Sequence, residues 1–182
     1  MAQGTGFTLR SDDPRTFGAW VRHRARLGGD EVALDICGDR RTYLELNDAT
    51  DRTAAGFAGL GLQPGEHVSL MMQNSIENVE AWFGLQKAGL VEVPVHTASR
   101  GNALQYIVDH ADARMIVIDE AFLPYLAGVV DGLPKLQHVV VNRKEAGTGA
   151  VELPSRLALH DLADLYADGP PPDVQQLRTD TA

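Results

Sequence analysis

The residues best equipped for chemistry stand together in Val93-Pro94-Val95-His96-Thr97-Ala98-Ser99-Arg100-Gly101, where an imidazole, two hydroxyls and a guanidinium follow an apolar run. Arg100 offers a planar fork of donors to a carboxylate or phosphate, and His96 can orient a polar group. The passage falls at a strand end, the edge at which open α/β sheets bind ligands. A structural reading competes and is favoured: His96, Thr97 and Ser99 cap the next helix, and Arg100 is solvated.

Other candidates are weaker. The histidines at 23, 67, 96, 110, 138 and 160 show no pair at metal-ligand spacing along the chain. Ser69 and Ser75 lack the G-x-S-x-G elbow of a hydrolase, and Cys37 lies in an expected strand without a visible partner. Ser75 reads as a helix cap. No G-x-x-x-x-G-K-[ST] loop occurs, which excludes a P-loop nucleotide site at the motif level. Gly56, Gly59, Gly61 and Gly65 close a helix and lead into a strand, the reverse of a dinucleotide fingerprint. Gly147-Thr148-Gly149 can hold an anion only if its loop is shaped for one, and a plain loop is the favoured reading. The sequence therefore assigns no catalytic, cofactor-binding or metal-ligating residue to this chain.

The elements that must position these residues follow from periodicity and turn chemistry. A helix carries Phe17, Trp20 and Val21 on one face and the basic cluster Arg22, His23, Arg24 and Arg26 on another, read as a solvated face. Val32 to Cys37 and Arg41 to Tyr43 flank Gly38-Asp39-Arg40 as a small hairpin. Thr42-Tyr43-Leu44-Glu45 is a capping box opening a helix with Leu46, Ala49, Thr53, Phe57 and Leu60 in a stripe that ends at Gly61. Pro64-Gly65 is a turn, His67 to Met72 a strand, and Asn74 and Ser75 cap a helix from Ile76 to Ala88, with Ile76, Val79 and Phe83 inward. A strand over Leu90 to Val95 follows, then a helix over Asn102 to Ala111 with Leu104, Ile107, Val108 and Ala111 toward a core. Arg114 to Ile118 is the next strand. Ala121 to Val130 reads as a helix with Pro124 in its first turns, and Val139 to Val141 as a shorter strand. Asn142 to Glu152 is a surface loop and Leu157 to Tyr166 a last short helix.

Strands alternating with helices make βαβ units, whose right-handed crossovers give an α/β, doubly wound, mainly parallel sheet flanked by helices. Residues 1–15 read as a flexible N-terminus, 16–167 as one α/β subdomain, and 168–182 as a proline-rich linker and truncated end, because Pro170-Pro171-Pro172 can join neither a helix nor a ladder.

At 182 residues the chain can bury a core without staples, and its one cysteine allows no internal disulfide. A reducing compartment is expected. Neither a leader pattern at Met1 to Asp13 nor a membrane-spanning apolar run is present, so a soluble cytoplasmic protein is expected. A formal net charge of −9 argues against nucleic acid as a partner.

Four passages, in order, resemble the N-terminal part of the adenylate-forming ligases, the AMP-binding acyl-CoA synthetase superfamily. Arg41-Thr42-Tyr43-Leu44-Glu45-Leu46 resembles the family's "TYxEL" helix start, and Gly61-Leu62-Gln63-Pro64-Gly65-Glu66-His67-Val68 its "G(V/L)xPGDxV" turn and strand. Met72-Gln73-Asn74-Ser75-Ile76-Glu77 resembles "LPNSxE", and Lys87-Ala88-Gly89-Leu90-Val91-Glu92-Val93-Pro94-Val95 resembles "xAGAVxVPxN". The likeness runs from about Thr16 to Asp119 and is nearest to the crotonobetaine/carnitine-CoA ligase-like and medium-chain branches.

The resemblance implies activation of a carboxylic acid with ATP and magnesium to an acyl-adenylate, then a thioester with coenzyme A. It implies that the phosphate loop, the later glutamate motif, the ribose-binding aspartate and the catalytic lysine lie beyond Ala182. This stretch is then scaffold, inactive alone, whose partner is the remainder of the ligase. Departures stand at Gln73, where the pattern has proline, and at His96, where it has asparagine. Asp119, Glu120, Ala121 and Phe122 stand where some acyl-CoA synthetases carry arginines for the coenzyme A phosphate. An alternative is a stand-alone non-catalytic binding or regulatory module on the same scaffold. A flavodoxin-like signalling domain is more distant, since it needs an acidic cluster at the strand ends that the sequence does not display. A partial domain is also expected to leave one sheet face bare and to self-associate.

Overall fold

The computed structural model describes residues 8–9, 16–143, 151–173 and 176–177. Its centre is a five-stranded, all-parallel sheet of β4 (His67–Met71), β5 (Val91–Pro94), β6 (Met115–Asp119), β7 (His138–Asn142) and β8 (Ala158–Asp161), in the order β5-β4-β6-β7-β8. The central strands are buried on both faces, as a parallel sheet requires: Val68, Met71, Met115, Ile116, Val117, Ile118, Val139, Val140 and Val141 are each fully enclosed.

Alternation along the strands divides the core in two. Ser69 aside, odd positions of β4 and even positions of β6 meet α4 (Gly101–His110) and α5 (Leu123–Ala127) around Leu104, Val108, Ile116, Ile118 and Leu126. The other face meets α2 (Tyr43–Gly59) and α3 (Ile76–Lys87) around Phe57, Val68, Leu70, Leu85, Met115 and Val117. Both faces are thus covered, which corrects the expectation of a bare sheet face.

The local signals act as chemistry dictates. Thr42 accepts from the Glu45 amide at 3.2 Å while Glu45 accepts from the Thr42 amide at 2.8 Å, closing the capping box. Ser75 accepts from the Asn78 amide at 3.2 Å and starts α3. The hairpin of β2 (Val32–Ile36) and β3 (Asp39–Thr42) turns more tightly than expected, on Cys37 and Gly38 alone, at φ 55° and 94°. Two successive positive φ angles match the twist of the flanking strands.

Three expectations fail for identifiable reasons. The helix over Ala121 to Val130 is instead a 3₁₀ turn (Glu120–Phe122), the five-residue α5 and a second 3₁₀ turn (Val130–Gly132). Pro124 has no amide proton to bond back into a preceding turn, so no continuous helix passes through it. Leu157 to Tyr166 is not a helix: its first half is β8 and its second a 3₁₀ turn (Leu162–Leu165) whose start is capped by Asp161. The hydrogen bonds that β7 offers at its open side override a weak local preference. Finally, β7 has five residues, as many as β4 and β6, and is not the short strand expected.

The helix α1 (Phe17–Gly28) packs against α2 and α3 through Gly18, Ala19 and Val21, whereas Phe17 and Trp20 stay 48% and 43% exposed. At the ends of the chain, β1 (Thr8–Leu9) pairs antiparallel with β9 (Gln176–Leu177), so the two terminal stretches set apart in the sequence meet there. Residues 168–173 of the proline-rich stretch hold no helix or strand. Most of the loop read over Asn142 to Glu152 lies outside the described residues.

Candidate functional site

The strand order places β5 and β6 on opposite sides of β4, so the chain reverses its direction of growth between β4 and β6. The carboxyl ends of strands beside such a reversal form the crevice where this class of sheet binds ligands. Here that edge is built from polar residues that end the strands. Asp119 accepts from the Gln73 amide at 2.7 Å and from Asn142 Nδ2 at 2.8 Å, tying β4, β6 and β7 together. Arg143 donates to Asp161 at 2.8 Å and to Glu120 at 3.3 Å, extending the tie to β8 and holding its own guanidinium above the ordinary range. Asn78 Nδ2 donates to the carbonyls of Gln73 and Met72 at 3.0 and 3.3 Å and fixes the turn that leads into α3.

Beside this edge an open groove of ≈ 760 Å³ runs past Gln73, Asn74, Asn78, Glu92, Pro94, His96 and Thr97. It adjoins a second of ≈ 700 Å³ lined also by Cys37, Val79 and Trp82. Glu92 lies in both, and burial pushes its carboxyl above the usual carboxylate range. The indole Nε1 of Trp82 is buried without a hydrogen-bond partner among the described residues.

The loop Val93 to Gly101 departs from the capping reading made from sequence. His96 Nδ1 accepts from the Ala98 amide at 3.0 Å, which folds the loop on itself. Arg100 occupies the cap position of α4 without a side-chain cap bond, so His96, Thr97 and Ser99 do not cap this helix. Nor is the guanidinium simply solvated: it donates to the Thr97 and Ser99 carbonyls at 2.6 and 2.7 Å and lies 3.5 Å over the Tyr125 ring. Both of these bonds are made by Nη1 and hold the guanidinium against the loop.

The remaining candidates scatter. Ser69 is fully buried in β4 with no partner for its hydroxyl among the described residues, and Cys37 is exposed in the hairpin turn. Gly56 does not close a helix but lies within α2, where a Cβ would stand 2.0 Å from the Leu165 carbonyl. Gly61 and Gly65 have φ of 86° and 89°, as turns require. Gly147-Thr148-Gly149 lies outside the described residues. The basic cluster on α1 is partly engaged: Arg22 reaches Asp51 at 3.8 Å, and Arg24 pairs with Glu31 at 2.9 Å and stacks over Tyr43. Of the six histidines, His138 and His160 come together across β7 and β8. No group of three or more metal-ligating side chains forms among the described residues.

Sequence reasoning missed Asn142, Arg143 and Asp161 as members of the edge. Their only signal is a polar residue directly after an apolar run, and Asp161 was hidden inside an expected helix. Carboxylates do gather at the strand ends, contrary to expectation, but each has a donor. Arg143 is held by two carboxylates and Asp119 by two donors, so these side chains of the edge are engaged with one another.

Residues 21–179 match the model of the AMP-binding enzyme family. The chain belongs to that family. Among curated relatives, this chain is 24% identical over 149 residues to a medium-chain-fatty-acid–CoA ligase of Ectopseudomonas oleovorans, covering 80% of this chain and 27% of that protein. It is 32% identical over 158 residues to a 2,3-dihydroxybenzoate-AMP ligase of Bacillus subtilis (84% and 27%), and 29% identical over 148 residues to a crotonobetaine/carnitine–CoA ligase of Salmonella paratyphi A (78% and 29%). The crystal structure of the anthranilate CoA ligase AuaEII with anthranoyl-AMP shares the fold, with a TM-score of 0.75 at 23% identity over 88% of this chain and 30% of that one. The chain thus spans under a third of the length of these relatives, which act by name on chemically different acids. No helix among the described residues is long and apolar enough to cross a membrane.

Proposed function

We propose that this chain is the N-terminal scaffold of a cytoplasmic, ATP-dependent, AMP-forming ligase that activates a carboxylic acid as its acyl-adenylate and passes it to coenzyme A. One observation carries the reading: the family match covers nearly the whole chain, yet the strand-end edge that should face the nucleotide consists of side chains already committed to one another. Rigid polar ties of this kind suit a wall on which a site is assembled rather than the site itself. ATP, magnesium and coenzyme A are then held by residues of the remaining ligase polypeptide, which is the partner of this chain. A carnitine-type or medium-chain acid is the substrate class nearest to the sequence resemblance. The branch of relatives that includes an aryl-acid ligase supports a broader acyl or aryl class equally well.

The test is acid-dependent exchange of pyrophosphate into ATP, with medium-chain, carnitine-type and aromatic acids supplied. The 182-residue chain alone is expected to give no exchange above a control without protein. Exchange by this chain alone would overturn the scaffold reading.

A further inference from the structure

Two of the six histidines converge on a point that the adenylation chemistry does not use. His138 opens β7 opposite Ala158 of β8, and His160 lies opposite Val140, so the two imidazoles share one sheet face, one diagonal step apart. Their rings stack with centroids 5.4 Å apart at 26°, and Nδ1 of His138 stands 3.1 Å from Nε2 of His160. Both residues are half-buried and both strands are held in register by their neighbours.

A gap of that width between two imidazole nitrogens can hold one shared proton or one metal ion. Zinc-class ions bind imidazole nitrogen at about 2.0–2.1 Å, so two ligands at square or tetrahedral angles stand roughly 2.9–3.4 Å apart. The observed separation falls inside that interval without any movement of the backbone. The nearby charges are the Glu66 carboxylate, which acts on His138 and is itself paired with Arg114 at 3.0 Å. The chain as a whole carries a net charge of −9, which favours cations.

We propose that His138 and His160 form a two-imidazole chelate for a divalent zinc-class ion (zinc, nickel or copper), completed by water, that clips the edge strand β8 to β7. The two imidazoles lie on the sheet face they share with Val140, beside α2 and the turn Leu162–Leu165, and the site is independent of the ligase reading.

The experiment uses the full chain freed of metal with a chelator and titrated with zinc chloride, and separately nickel chloride, near pH 7.5, followed by calorimetry and by the imidazole resonances of the unsubstituted protein. One equivalent is expected to bind, with the His138 and His160 resonances shifting together and the melting temperature rising with metal concentration. His138→Gln and His160→Gln should each weaken binding about tenfold or more. Cys37→Ser should leave it unchanged. Absence of binding at millimolar zinc, binding that survives both glutamine substitutions, or shifts confined to other histidines would overturn the proposal. Because the resonances are read on the natural chain, a variant that fails to fold does not blunt the test.

Discussion

Lys87 has 1% of its side chain exposed, and a buried ammonium survives only if each of its protons finds an acceptor. It donates to Asp51 at 2.6 Å and to the Asn47 backbone and side-chain oxygens at 3.2 Å each. Burial nevertheless outweighs the Asp51 partner and pulls its pKa down to about 8. Unfolded, a lysine titrates near 10.4, so between those values the unfolded chain binds more protons than the folded one, and stability must rise with pH across that window. Denaturant unfolding at pH 7, 8.5 and 10 is expected to show that rise in the natural chain, at about 1.4 kcal/mol per unit of difference in pKa. In Lys87→Met the rise should be absent. An equal slope in both proteins would mean that Lys87 is not the titrating group. The same burial explains Gly18 on α1: a Cβ there would stand 2.8 Å from Lys87 Cγ, so the lysine stem and the absent side chain define each other.

At the scale of elements, the tightest approach to a glycine among the described residues is between α2 and the 3₁₀ turn Leu162–Leu165, where the Leu165 carbonyl stands close to where a Cβ of Gly56 would be. Gly56→Ala would place a methyl 2.0 Å from that oxygen. Ordinary helix propensity favours alanine by about 1 kcal/mol, but the displaced backbone outweighs that gain, and a net loss of about 2–4 kcal/mol is expected by thermal or denaturant unfolding. An unchanged or higher melting temperature would show that the turn yields freely. The Glu80 carboxylate reinforces the same junction, bonded to Arg41 at 2.9 Å and to the Tyr166 hydroxyl at 2.5 Å. None of this was legible in the sequence, because the partners stand 39 and 86 residues apart. What was legible was local. The Thr42–Glu45 box and the Ser75 cap depend on residues within one turn of each other and are present as read, while the alternation of strands and helices holds from β4 to β6 and fails over Leu157 to Tyr166. The edge strand β8 was misread because its identity is fixed by the hydrogen bonds of β7, and the strand-end network was invisible because Asp119 finds Gln73 and Asn142 only after the sheet has formed.

For the whole molecule, the apolar surface left over is not where a partial α/β domain was expected to show it. The sheet faces are filled, and Phe17, Trp20, Leu27, Val32 and Leu44 are exposed instead, on α1, at the start of β2 and at the start of α2. Local bonds gather these elements at one corner: the Leu44 amide donates to the Gly29 carbonyl, and the Trp20 and Tyr43 rings meet edge to face with centroids 5.9 Å apart. Exposed apolar residues are ordinary singly, but several on adjoining elements favour contact with another surface. In the scaffold reading that surface is the rest of the ligase, and in its absence a second copy is the available substitute. The chain is therefore expected to show concentration-dependent association by sedimentation and to bind a hydrophobic dye, and Trp20→Glu combined with Leu27→Glu should shift it toward monomer with little change in melting temperature, since neither side chain belongs to a buried cluster. A monodisperse monomer without dye binding in the natural chain would instead mean that this corner is tolerated in water, which favours a self-sufficient module over a wall awaiting its partner.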